Sequence, residues 1–116
     1  MDEFRIGQLT KEMVAEELRL LGDPCVAAAL VVRRTLLAAL KDSPVDGTAH
    51  ARVVSDSVEG AMTALLLADH SLARGAVLVL EAVHDVAGEC HLDPTEFMRA
   101  ALRALHDFRT RLARQA

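Results

Sequence analysis

The sequence predicts an all-α fold: an up-down helical bundle of five helices, or four should the third and fourth run together. Three observations carry that expectation. Alanine and leucine supply 20 and 18 of the 116 residues against a single isoleucine, and both are strong helix formers. Gly22, Asp23-Pro24 and Asp93-Pro94 are helix stop and start signals that divide the chain into segments of helical length. The one strand-like run, Ala76-Val77-Leu78-Val79-Leu80, lies inside a longer segment without breakers.

Each element follows from local chemistry. Helix 1 is expected from about Gln8 to Leu21, with Gly22 as the residue that closes it. Asp23 then caps helix 2 and Pro24 opens it, and the run continues to about Lys41. Ser43-Pro44-Val45-Asp46-Gly47 is the clearest loop. Helix 3 should span about Thr48 to Ala68. Its middle is weak, because Val53-Val54-Ser55-Asp56-Ser57 mixes β-branched and capping residues. A break there, with Asp56 and Glu59 as a capping box, is one alternative. Helix 4 is expected from about Ser71 to Gly88, and helix 5 from Asp93-Pro94-Thr95-Glu96 to about Arg114. Short connections make chain neighbours antiparallel. Helices 2 and 4 are apolar nearly all round and should be central, whereas helices 1, 3 and 5 are amphipathic.

Length and composition exclude several classes. The chain, residues 1–116, has the size of a single domain and can bury about two-thirds of its unfolded surface without a disulfide or metal staple. Hydrophobic residues make up 52%, and with the 6 glycines about 57%, against roughly 45–50% in ordinary domains. That excess rules out disorder and calls for cover, most simply by another copy of the chain. A net charge of −4 and only 3 aromatic residues argue against nucleic-acid binding. The cationic residues concentrate in the C-terminal helix, a basic end on an acidic body. Pro24–Leu40 fails as a membrane span, because Arg33 and Arg34 cost about 6 kcal/mol against a gain of about 3. No secretory signal is visible, and Cys25 and Cys90 show no zinc spacing, so a cytoplasmic location is expected.

The informative residues are the polar ones in apolar surroundings. Glu17, Arg33 and Arg34 have only apolar neighbours three and four positions away. Folding helix 1 back on helix 2 brings Arg33 and Arg34 level with about Glu12, with Glu16 and Glu17 within a turn. An interhelical ion pair is the expected outcome, and an anion or ligand site at Arg33 and Arg34 the alternative. Glu81 and His84 form an (i, i+3) pair of the kind that helical di-metal sites use, which makes them candidate metal ligands. One such pair is half of what those sites need, so a solvated or interface polar face is the default.

Two segments resemble known families. Asp69-His70-Ser71-Leu72-Ala73-Arg74-Gly75 resembles the phosphorylated segment of histidine-phosphotransfer domains, helical bundles in which an exposed His precedes a cation and a Gly. The resemblance implies His70 as phosphoacceptor. It departs from the family by one residue, since the cation and the Gly stand four and five positions after His70 rather than three and four, a rotation of about 100°. Arg99 and His106, seven apart on one face, are similar to the Arg…His pair of HEPN-class helical ribonucleases. Arg99, Arg103, Arg109, Arg111 and Arg114 equally suit a helix C-terminus or a docking face for a protein partner.

The sequence reading is therefore a non-catalytic interaction or regulatory protein, acting as a homo-oligomer. It needs no cofactor, nucleic acid or membrane, and it offers a basic C-terminal helix for docking through Arg99 and Arg103. The alternative is a phosphotransfer-like or metal-binding bundle centred on His70 or on Glu81 and His84.

Overall fold

A computed structural model of the chain describes residues 7–13, 22–41, 47–67 and 71–115. Residues 7–13 are helical and form α1. The other helices are α2 (Pro24–Lys41), α3 (Gly47–Leu67), α4 (Leu72–Glu89) and α5 (Pro94–Gln115), with no strand among the described residues.

The helix ends form where local chemistry placed them. Gly22 adopts φ 71°, a left-handed conformation that costs glycine little. Asp23 Oδ1 accepts from the backbone N–H of Cys25 at 3.1 Å and of Val26 at 3.4 Å, satisfying donors that have no partner inside α2. Asp93 Oδ1 accepts from Thr95 N at 2.9 Å in the same way. Ser71 opens α4, its Oγ accepting from Arg74 N at 3.3 Å, so α3 and α4 are separate and the five-helix reading stands. Beyond α4, His91 takes φ 55° and Leu92 N donates to the Ala87 carbonyl at 2.9 Å. That closure places the end of α4 at Glu89 rather than at Gly88. The expected Ser43–Gly47 loop lies, except for Gly47, outside the described residues.

α3 is unbroken from Gly47 to Leu67, which corrects the expected weakness at its middle. Val54 and Val58 are fully buried, and their packing outweighs propensity differences of a few tenths of a kcal/mol per residue. Burying a valine or leucine side chain contributes about 1.5–3 kcal/mol. The core is made of such aliphatic residues, among them Val31 and Leu36 of α2, Leu65 of α3 and Val83 of α4, closed by Phe97 and Phe108 of α5.

α2 packs on α3 and α4, and α5 on α3 and α4. The most extensive pairings join helices two apart in the chain. Asp23 and Arg33 meet Arg74 and Glu89, so α2 and α4 run parallel. His50 and Glu59 meet Phe97 and Arg111, so α3 and α5 do the same. Gly75 is the contact point between α3 and α4, because a Cβ there would collide with Leu65.

One expectation about position is overturned. α4 is not enclosed: Arg74, Val77, Glu81, His84 and Asp85 all face outward. A helix at one corner of a bundle always keeps an outer strip, and here that strip includes an apolar residue. The described part of helix 1, α1, lies against α3, and the rest of that helix lies outside the described residues. The Gly7 carbonyl of α1 would stand only 2.5 Å from a Cβ at position 60, so the hydrogen of Gly60 permits the approach.

Candidate functional site

Arg33 of α2 is paired across the bundle. Arg33 donates to Glu89 Oε1 of α4 at 2.7 Å, whereas Glu16, one of the acids expected within a turn of it, lies outside the described residues. That hydrogen bond raises the guanidinium pKa above its ordinary value. Glu12 accepts instead from Gln8 of its own helix at 3.1 Å. Arg34 is exposed on α2. Glu17 and His70 lie outside the described residues. The two residues that accompany His70 in the phosphotransfer resemblance serve the fold. Arg74 forms a two-pronged pair with Asp23 at 2.9 and 3.0 Å, and Gly75 accommodates Leu65. The pairing draws the Asp23 carboxyl down from 3.8 to about 2, chiefly through the hydrogen bond from Arg74.

The outer faces of α4 and α5 meet along a groove made of two adjoining clefts. One, of about 390 Å³, is lined by Val77, Leu80, Glu81, His84, Asp85 and Met98. The other, of about 510 Å³, is lined by His84, Pro94, Thr95, Met98, Arg99 and Leu102. His84 and Met98 belong to both. Val77 is 55% and Leu102 52% exposed, whereas Leu80 and Met98 are half-buried. The groove therefore has an apolar run along its length, carboxylates at its α4 edge and a guanidinium at its α5 edge.

The structure brings Glu81 and His84 together on one wall, as their spacing predicts. The nearest charged neighbour of His84 is Asp85, with Nδ1 and Oδ1 3.8 Å apart. Among the described residues, no three of His, Cys, Asp and Glu gather as a metal site. Val77 was the residue missed; its signal was the spacing Val77, Glu81, His84, which puts an apolar side chain in line with the polar row.

Arg99 and Arg103, the expected docking cations, line a further cleft of about 270 Å³ between α3 and α5. Arg52, Ser55, Glu96 and the small Ala51 and Ala100 complete it. Arg52 was not legible as a member, since nothing in one sequence says which part of α3 lies beside α5. His106 is exposed on α5, and its carbonyl accepts from Thr110 Oγ1 at 3.0 Å. A fourth cleft, between α1, α3 and α5, is lined by Lys11, Asp56, Glu59 and Arg111, of which Arg111 binds Glu59 at 2.5 Å. Cys25 is a buried thiol, 2% exposed, as expected of a small core residue, and both cysteines are free. No helix among the described residues is long and apolar enough to cross a membrane.

Compared with known protein families, curated proteins and solved structures, the chain matches none.

Proposed function

We propose that the chain is a non-catalytic interaction module that acts as a homo-oligomer, with the α4–α5 groove as its self-association face. The observation that carries this reading is the apolar run along one groove, in which Val77 and Leu102 are exposed and Leu80 and Met98 half-buried. Water contact with such a run is unfavourable, at roughly 25 cal/mol per Å² of apolar surface, and a partner removes it.

A second copy is the occupant that fits. Glu81 and Asp85 stand on the α4 wall and Arg99 on the α5 wall, in adjoining clefts that share His84 and Met98. A two-fold axis running along the groove places each α4 wall opposite the partner copy's α5 wall. Both acid–base contacts are then made at once, which is the self-complementarity a closed dimer needs. The clefts hold no three-donor metal cluster among the described residues, which favours docking over metal-assisted chemistry. The two free thiols suit a cytoplasmic location.

Sedimentation velocity over a concentration series tests the proposal. The parent chain is expected at twice 12.5 kDa, and Val77→Asp/Leu102→Asp at the single-chain mass with its helical circular dichroism retained. A parent chain that stays single at the highest concentration, or a double variant that dimerises equally well, overturns it.

A further inference from the structure

Three arginines of this bundle are engaged across helices. Arg33, Arg74 and Arg111 each reach a carboxylate on another element at 2.5–2.9 Å. Arg99 has only Glu96 of its own helix at 3.9 Å. Arg103 has no ion-pair or hydrogen-bond partner among the described residues. These two converge with Arg52 of α3 on the cleft between α3 and α5, where Glu96 is the single carboxylate among the lining residues.

We infer that the α3–α5 cleft is a recognition site for a carboxylate-rich segment of a partner protein, held by Arg52 and Arg103, with Arg99 at the edge it shares with the α4–α5 groove. Guanidinium groups bind carboxylates through two parallel N–H···O bonds, with a directionality that a lysine ammonium lacks. Arg99 and Arg103 are one helical turn apart, about 6 Å between their Cβ atoms, so they present two such forks side by side. Arg52 faces them from the other wall.

Size and charge select the ligand class. A cleft of about 270 Å³ falls below the roughly 300–1,000 Å³ of pockets that enclose a small molecule. Its arginines are exposed, so it receives side chains from an extended surface. Three cations on a chain of net charge −4 release few counterions from a polyphosphate backbone, which disfavours nucleic acid. The inference rests on the interaction-module reading but not on the dimer: Arg99 lines the α4–α5 groove too, whereas Arg52 and Arg103 do not.

Fluorescence anisotropy of labelled octaglutamate tests it, with labelled octaglutamine and oligothymidylate as comparison probes. Octaglutamate is expected to bind the parent chain, weakly and less at higher salt, and octaglutamine not to bind. Arg52→Glu/Arg103→Glu should weaken octaglutamate about tenfold, as two exposed attractions become repulsions. Arg52→Gln/Arg103→Gln, a second variant in case the first fails to fold, should weaken it several-fold. Val77→Ser/Leu102→Ser, which removes the apolar run without adding charge beside Arg99 and Arg103, should bind octaglutamate like the parent, whatever its oligomeric state. No binding of octaglutamate, binding indifferent to both arginine pairs, or tighter binding of oligothymidylate would overturn the inference.

Discussion

Asp23 carries two structural tasks at once. It caps α2 by accepting from the N–H groups of Cys25 and Val26, and it ties the start of α2 to α4 through Arg74. The second task holds its carboxyl at about 2 rather than 3.8. A carboxyl whose pKa is depressed by folding stabilises the fold above its unfolded pKa, and the contribution is lost as pH falls toward the folded value. Asn keeps the cap, since it is as good an N-cap as Asp, but cannot form the charged pair. Asp23→Asn should therefore melt below the parent near neutrality, and the two midpoints should converge as pH falls from 3.8 to about 2. A gap that does not change over that window would mean the ion pair contributes nothing. Arg33 shows the limit of reading residues singly: an arginine in apolar surroundings announces that it needs a partner, but Glu89 lies 56 positions away and only the packing of α2 on α4 selects it.

At the scale of elements, Gly60 decides whether α1 can seat. Alanine there would gain about 1 kcal/mol of helix propensity. Its Cβ, however, would stand 2.5 Å from the Gly7 carbonyl oxygen and 2.9 Å from Thr10 Cβ. A backbone carbonyl cannot swing aside as a side-chain tip can, and overpacking of this kind costs about 1–3 kcal/mol. Gly60→Ala should therefore speed hydrogen exchange in the amides of residues 10–13 and leave α4 protection as it was. Unchanged exchange at those amides would show that α1 does not depend on the close approach. Helix ends at Gly22, Asp23-Pro24, Ser71 and Asp93-Pro94 were legible because a cap is settled within four residues of itself. The continuity of α3 and the outward strip of α4 were not, because burial of Val54 and Ser57, or exposure of Val77, depends on which helices flank them. The same divide applies to the site. Glu81 and His84 share a wall because three residues of helix separate them, whereas Arg52 joins Arg99 and Arg103 only through the parallel pairing of α3 with α5.

For the whole molecule, the acid wall on α4 and the base wall on α5 set a condition that a dimer of general stickiness would not meet. Reversing the acid wall with Glu81→Lys/Asp85→Lys sets lysines against the partner copy's Arg99. Reversing the base wall with Arg99→Glu sets a carboxylate against the partner copy's Glu81 and Asp85. Each variant alone should dimerise more weakly than the parent, since like charges across an interface are repulsive. Mixed together, the two are complementary along both walls, for the lysines of one chain meet the new carboxylate of the other. The unchanged Arg99 meets the unchanged acidic wall. Native mass spectrometry of the mixture should then show the hetero-dimer in excess of both homodimers, and added salt should erode that preference. Statistical mixing would place the apolar run, and not the charged walls, in control of pairing, and would remove the case for a two-fold axis along the groove.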